Sequence, residues 1–207
     1  MQGVVLGGYL QGIEVRDGAY AGGPLDWLSL FSMFTGVSLV AGYALLGTTW
    51  LVMKTEGEFA EVARGWSKWL LIVVMVSMAI ISLWTPLAVD RIAERWFTWP
   101  NLLYLSPIPL ATAATAYLCW HGLATGRETM PFLSAVGLFL LGFLGLAIST
   151  VPYLVPPSVT IWDAAAVPAS QIFMLVGVLL MLPLILGYTV FVYWTFRGKV
   201  REGEGYH

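Results

Sequence analysis

The chain has 207 residues, and its 10 lysines and arginines together with its 12 aspartates and glutamates make up only 11% of them, against roughly 25% in a soluble domain. This low charge content, with a mean hydropathy of +0.80 and a net charge of −2, excludes a soluble enzyme, a nucleic-acid-binding domain and a disordered tail. The single cysteine, Cys119, excludes a disulfide framework and a cysteine-rich metal site.

The charges are confined to segments between five uncharged stretches. Each stretch is longer than the roughly 20 residues that cross the apolar core of a bilayer as a helix. The sequence therefore predicts an all-α fold, a polytopic transmembrane helical bundle with five spans, the first of which begins behind Pro24 and Asp26. The expected spans lie near residues 25–53, 66–86, 107–124, 131–151 and 169–196.

Residues 1–13 are too short for a further span. Their apolar part, 4–13, has about half the length that a span needs. We expect residues 1–13 to be the C-terminal end of a preceding transmembrane helix, in a chain that is a C-terminal fragment or starts at an internal methionine. A short re-entrant segment is the alternative. Residues 14–207 then form the five-helix transmembrane domain.

Glycines recur in these apolar segments, and we interpret them as points of close helix packing. Gly3 and Gly7, like Gly8 and Gly12, have the four-residue spacing that lets two helix backbones approach. The same interpretation applies to the glycines of the first and fourth spans. These are Gly36, Gly42, Gly47, Gly137, Gly142 and Gly145.

The basic residues predict the orientation in the membrane, because connecting segments rich in lysine and arginine stay in the cytoplasm. With five alternating spans, seven basic residues lie on the side of the C-terminus and three on the opposite side, so we expect a cytoplasmic C-terminus. The seven are Lys54, Arg64, Lys68, Arg127, Arg197, Lys199 and Arg201, and the three are Arg16, Arg91 and Arg95.

Ionisable residues inside spans are the usual pointers to function in membrane proteins, and this chain has almost none. Only Asp26, Lys54 and His121 lie near span ends. His121 is the one plausible haem or metal ligand, although an interfacial histidine is the favoured interpretation. We therefore assign no catalytic, cofactor-binding or metal-binding residue.

The charged segment 54–68 allows two interpretations. A solvated loop is slightly favoured; the alternative is a segment that docks a partner subunit or closes a corner between two helices. The loop 155–166, with its two prolines and Trp162–Asp163, is expected to form an ordered, weakly charged cap.

Four stretches of mixed residue types resemble subunit II of the cytochrome bd-type quinol oxidases, a family that includes the cyanide-insensitive branch. They lie at residues 42–57, 156–166, 171–177 and 186–188, and the resemblance extends over essentially the whole chain. It implies a membrane subunit of a bacterial respiratory complex that oxidises quinol and reduces dioxygen to water.

The resemblance also implies where the cofactors and partners lie. Haem b and haem d are expected on the partner, the haem-bearing subunit I, and this chain is expected to be a structural subunit that is not catalytic alone. Lipid, quinol and a bound quinone are further expected contacts, and the bacterial inner membrane is the expected location. Members of the family have about nine helices, so these five would be the last five.

A small-solute transporter or channel is the alternative from a different functional class. It requires a polar lining in the middle of the membrane. The candidates for that lining are the hydroxyl residues Ser77, Ser82, Thr112 and Thr115.

Overall fold

The computed structural model describes residues 1–16, 18–196 and 198, and helices dominate it. The helices are α1 Gln2–Gln11, α2 Leu30–Lys54, α3 Gly57–Ala88, α4 Asp90–Phe97, α5 Asn101–Leu105, α6 Pro107–Ala124, α7 Thr129–Thr150 and α8 Pro168–Thr195. Two short antiparallel hairpins join β1 Val15–Arg16 to β2 Ala19–Tyr20 and β3 Tyr153–Val155 to β4 Val159–Thr160.

Five of these helices are long and apolar enough to cross a membrane, namely α2, α3, α7, α8 and α6 with the short α5 before it. This confirms the predicted five-span helical bundle. Helices α2, α3, α6 and α7 pack around a buried core that contains Leu45, Leu71, Leu123, Ala135 and Leu138. Helix α1 packs against α2. The division into residues 1–13 and 14–207 stays a prediction.

Two sets of connections mark the two ends of the bundle. Residues 55–56 and 125–128 join helices at one end, which we call the Arg127 side. Residues 12–29, 89–106 and 151–167 lie at the other end, the Tyr153 side. The spans therefore alternate in direction, and α8 ends on the Arg127 side.

The first span begins later than its sequence predicts. Helix α2 starts at Leu30 because Ser29 forms a capping box: Ser32 N donates to Ser29 Oγ at 3.0 Å, and Ser29 N donates to Ser32 Oγ at 2.8 Å. Asp26, which we expected at the helix N-terminus, instead accepts a hydrogen bond from Gly23 N in the preceding turn.

Replacing Ser29 with alanine should therefore lower the free energy of unfolding by about 1 kcal/mol, because the N-terminal amides of α2 lose their acceptor. Ser29→Asp should retain most of that stability, since a carboxylate also caps a helix. The Ser38 hydroxyl donates within the helix to Phe34 O, so Ser38→Ala is the matched control. Unfolding in mixed micelles, by increasing the fraction of sodium dodecyl sulfate, gives the free energy of unfolding of all three variants. Equal losses of stability in Ser29→Ala and Ser38→Ala would show that Ser29 does not cap the helix.

The second span begins earlier than predicted, at Gly57 rather than near Trp66. Gly57 has a φ of 69°, a left-handed conformation that glycine adopts without strain, and it lets the chain turn directly from α2 into α3. Of the charges in segment 54–68, Lys54 consequently ends α2, Glu56 is the N-cap of α3, and the others lie on the first turns of α3. The favoured interpretation of this segment as a solvated loop is wrong.

Glycines bring α1 and α2 into close contact, as the four-residue spacing predicts. A Cβ atom added to Gly7 would lie 2.5 Å from the Cα of Ser32, and one added to Gly3 would lie 2.8 Å from the Cα of Gly36. Gly47 and Gly145 make no such contact within the described part of the chain, where no atom of another segment lies within 4 Å of an added Cβ.

The Tyr153 side contains two short helices that the sequence did not predict. Helix α4 places Ile92, only 2% exposed, in a second buried cluster with Leu10 and Phe31, while its acidic side chains Asp90 and Glu94 remain exposed. It therefore covers the end of the bundle with an amphipathic surface.

Candidate functional site

A polar network lies on the Tyr153 side, where α4 meets the end of α7. Arg91 Nη1 donates to Ser149 O at 3.0 Å, and Arg95 Nη1 donates to Ile148 O at 3.2 Å. Trp96 Nε1 donates to Ser149 Oγ at 2.9 Å. The last carbonyls of a helix have no partner within it, and they form the negative end of its dipole. The two arginines thus cap α7 from a neighbouring helix.

Electrostatic and aromatic contacts extend this network to the outer hairpin. The Arg91 guanidinium lies 5.1 Å from the centroid of the Tyr153 ring, a cation–π geometry. Partial burial lowers the pKa of Arg91; Tyr153 opposes that shift, and the nearby charge of Arg95 adds to it. Arginine remains protonated despite such shifts. Arg91 therefore links α7, α4 and β3 through one permanent charge.

Sequence reasoning counted Arg91 and Arg95 only as loop charges. The detectable signal was the pairing of Asp90 with Glu94 and of Arg91 with Arg95, each four residues apart, which places acids and bases on separate faces of a helix. The short length of α4 concealed that pattern.

The β3–β4 hairpin is an ordered cap, as expected for the loop 155–166. Tyr9 Oη donates to Tyr153 O at 3.4 Å, and Ile13 N donates to Pro156 O at 2.7 Å. These bonds attach the hairpin to α1 and to the residues that follow it. Trp162 at its end is 72% exposed.

Asp163 closes the hairpin through Thr160. Its Oδ2 accepts from Thr160 Oγ1 at 2.6 Å and from Thr160 N at 3.1 Å. Both bonds favour the carboxylate, so they lower the pKa of Asp163 below its ordinary value of 3.8. Because the folded pKa is the lower one, the stabilisation is complete above the ordinary value. It is lost as the pH falls through the folded value.

We expect the loss of this stabilisation at low pH to appear as faster hydrogen exchange in peptides that cover residues 153–163. Above about pH 4, the wild-type hairpin should be better protected than the Asp163→Asn variant. Below the lowered pKa the two should exchange alike, because the protonated carboxyl no longer accepts both bonds. The exposed Asp90 on the same side provides the control Asp90→Asn, which should match the wild type throughout. A difference that persists at low pH would contradict the assignment.

A cavity of about 570 Å³ lies beside α1 on the Tyr153 side. Three of its lining side chains could donate hydrogen bonds, and each already donates within the chain: Tyr9 to Tyr153 O, Tyr20 to Gly23 O and Trp27 Nε1 to Pro24 O. The side-chain donors of this cavity are therefore already engaged, and the carboxylates of Glu14 and Asp26 also line it.

On the Arg127 side, one buried arginine joins α3 to the connection between α6 and α7. Arg64 of α3 is 9% exposed; its guanidinium donates to Arg127 O at 3.3 Å and Gly126 O at 3.5 Å. Its Nε lies 3.5 Å from Glu61 Oε1. The segment 54–68 therefore closes a corner between helices, which was the alternative interpretation of its charges.

His121, the one candidate ligand from the sequence, lies in the last turn of α6 and stacks on Tyr117 with ring centroids 6.1 Å apart. Cys119, two residues away, is buried, and its Sγ is 3.5 Å from Pro131 O. Within residues 1–16, 18–196 and 198, no group of three His, Cys, Asp or Glu side chains could hold a metal ion.

Many serine and threonine hydroxyls of the spans donate a hydrogen bond to a carbonyl of their own helix. Thr112 Oγ1 donates to Ile108 O at 2.9 Å, four residues earlier in its own helix, and Thr49, Ser67 and Thr85 make the same kind of bond. Such back-bonding removes the free donor that a hydrophilic path would need. Of the other candidates for a polar lining, Ser82 is exposed at the bundle surface, whereas Ser77 is buried.

Comparison with known proteins identifies the family. The family model for cytochrome bd terminal oxidase subunit II matches residues 1–196. The chain is similar to cytochrome bd-I ubiquinol oxidase subunit 2 of Escherichia coli strain K12 and of Escherichia coli O157:H7. Each match is 24% identical over 240 aligned positions, covering 98% of this chain and 62% of the relative. This chain thus spans less than two thirds of the length of these curated relatives. With a family match across nearly all of its described residues, the chain belongs to the cytochrome bd terminal oxidase subunit II family.

Proposed function

We propose that the chain is a membrane subunit of a bacterial respiratory quinol:dioxygen oxidoreductase and the structural partner of its haem-bearing subunit. The family match over residues 1–196 carries this proposal. The relatives are ubiquinol oxidase subunits, which agrees with quinol as the electron donor of the complex.

We place haem b and haem d on the partner subunit. Haem iron needs an axial ligand such as a histidine, a cysteine thiolate or a methionine. Among the described residues, the one histidine stacks on Tyr117 at the end of α6, and the one cysteine lies at hydrogen-bond distance from a carbonyl. Both side chains have partners within the chain, and we assign no electron-transfer step to it.

The exposed surfaces of the spans support a role in assembly. Helix α8 is exposed at every residue except Val192, and in the most apolar part of each other span at most 28% of the residues are buried within the chain. Apolar helix surfaces of this extent contact lipid or other membrane helices. A bound quinone is a further proposed contact, although the cavity beside α1 offers its head group no uncommitted side-chain donor.

The distribution of charges supports an orientation with the Arg127 side in the cytoplasm. Four basic residues lie on that side, Lys54, Arg64, Lys68 and Arg127, against three on the Tyr153 side. Arg197, Lys199 and Arg201, which add to the first group, lie outside the described residues. By the positive-inside rule, the C-terminus is cytoplasmic in a bacterial inner membrane.

Co-purification tests the proposal. A tagged chain, expressed with the haem-bearing subunit in cells that lack their own quinol oxidases, should bring that subunit and its haem absorbance through purification, and the complex should reduce dioxygen with quinol. Stoichiometric haem on the chain when it is purified alone would contradict the structural role.

The same material tests the transporter alternative. Liposomes that contain the chain alone should show no solute flux above that of empty liposomes, because hydroxyl groups such as those of Thr49, Ser67 and Thr112 bond to the backbone of their own helices. Flux that depends on the chain and needs no partner would favour the alternative.

A further inference from the structure

Consecutive exposed residues connect α4 to the span that begins with α5. They are residues 97–104, which we call the aromatic segment. Its large apolar and aromatic side chains are those of Phe97, Trp99, Leu102, Leu103 and Tyr104. A contiguous apolar surface of this kind contacts a membrane or another protein, and the position of the segment relative to the spans decides between the two.

The start of the aromatic segment is fixed at the end of the spans. Arg91 and Arg95 of α4 donate to the carbonyls of Ser149 and Ile148, which belong to the last turn of the membrane-spanning helix α7. Helix α4 has eight residues, of which four are charged, and charged side chains are costly inside the apolar core of a membrane. Helix α4 therefore lies at the boundary of that core and not within it.

The end of the aromatic segment opens a span. Helices α5 and α6 form one apolar stretch of 24 residues, Asn101–Ala124, which measures about 36 Å against the roughly 30 Å of the apolar core. Helix α6 has 18 of these residues, or about 27 Å. The first turn of the stretch, which is α5, therefore lies where the apolar core meets the lipid head groups.

The chemistry of the side chains fits this depth. Trp99 and Tyr104 are 72% and 73% exposed, and within the described part of the chain neither Trp99 Nε1 nor Tyr104 Oη has a hydrogen-bond partner. A ring with an apolar body and a free polar tip favours the membrane interface, where lipid surrounds the ring and head groups or water bond to the tip. A lipid surface therefore satisfies both parts of these side chains.

We propose that the aromatic segment is a lipid-binding anchor, which inserts its aromatic and leucine side chains among the head groups beside α6 and fixes the depth of the Tyr153 side in the membrane. The bonds of Arg91 and Arg95 to α7 hold the base of the anchor on the bundle. Because both arginines are engaged there, and Asp90 and Glu94 are exposed, aromatic insertion and not attraction to anionic lipid provides the binding. The anchor does not depend on the proposed function.

Spin labels on single cysteines test the depth of the anchor in the full chain, reconstituted in lipid nanodiscs, with the buried Cys119 replaced by alanine throughout. Leu103→Cys reports on the anchor. The exposed positions of Glu94→Cys and Leu140→Cys provide the references for water and for the middle of α7. Compared with the label at position 94, the label at position 103 should collide about twofold more often with oxygen and about twofold less often with a water-soluble nickel chelate.

Two outcomes of this measurement would overturn the anchor. Equal collision rates at positions 103 and 94 would place the aromatic segment in water. A label at position 103 that is shielded from both oxygen and nickel, unlike the label at position 140, would show that protein and not lipid covers the segment.

Substitutions of one ring test the chemistry of the anchor. With the label at position 103, Trp99→Ser should raise the nickel collision rate about twofold, because the anchor loses an amphipathic ring, whereas Trp99→Tyr should keep the original rate. Phe59→Ser removes an exposed ring on the Arg127 side and is the matched control. Equal rates in Trp99→Ser and Phe59→Ser would overturn the anchor, and the comparison of positions 103 and 94 decides it even if Trp99→Ser fails to fold.

The lipid composition of the nanodiscs separates aromatic insertion from charge attraction. Nanodiscs of phosphatidylcholine with and without phosphatidylglycerol should give the same collision rates at position 103, because the arginines of α4 are engaged with α7. Deeper insertion in the presence of phosphatidylglycerol would overturn aromatic insertion as the source of the binding.

Discussion

Replacing Gly7 with alanine is expected to destabilise the protein by about 2–3 kcal/mol, although alanine is the better helix former by roughly 1 kcal/mol. The reason is the contact between α1 and α2, where an added Cβ would lie 2.5 Å from the Cα of Ser32 and 3.0 Å from its Cβ. The first of these neighbours is backbone and cannot rotate away. The two helices must therefore shift apart locally, and the packing between them is loosened.

The matched control for this prediction is Gly47→Ala in α2, where nothing lies within 4 Å of the added Cβ. That variant should be as stable as the wild type or more stable, by up to about 1 kcal/mol, because only the helix propensity changes. Unfolding in mixed micelles, followed by far-ultraviolet circular dichroism, gives both free energies. If Gly7→Ala is no less stable than Gly47→Ala, the close approach of α1 and α2 is wrong.

Arg91→Met should produce the second large effect, a loss of about 2–3 kcal/mol, since it removes a charged donor from the last turn of α7 and leaves the Ser149 carbonyl without that bond. Hydrogen exchange should also increase near Ser149 and in β3, because Arg91 contacts the Tyr153 ring as well. Arg95→Met should cost less, since Arg95 makes a longer bond to Ile148 O and no aromatic contact is found for it in the described chain.

Arg16→Met provides the matched control for Arg91→Met. Arg16 lies on the same side of the bundle, but its side chain is 75% exposed and its ion pair with Glu14 is at the surface. Such pairs contribute little, so the loss should stay below about 0.5 kcal/mol. Equal stabilities of the Arg91→Met and Arg16→Met proteins would show that the cap of α7 is unimportant.

The sequence predicted the transmembrane part of the fold because hydropathy and helix length act locally. The predicted third span, residues 107–124, has the same limits as α6, and the last span differs from α8 by one residue at each end. The errors occur where polar residues belong to helices. Glu58, Glu61 and Arg64 interrupt the apolar pattern of α3, yet Arg64 is 9% exposed because it bonds to the corner between α6 and α7. No pattern within α3 reveals that partner, since it lies 62 to 63 residues away.

By itself, therefore, the sequence determined that this protein is a five-span helical membrane protein, because this property follows from runs of residue types along the chain. It also identified the family, through stretches of mixed composition at residues 42–57 and 156–166. Only the tertiary structure decided which polar groups hold the bundle together. Arg91 capping α7, Arg64 closing a corner and Lys54 attaching α8 each join a side chain to a backbone carbonyl of another segment. Such contacts depend on how the helices are arranged in space, which no local pattern of residues records.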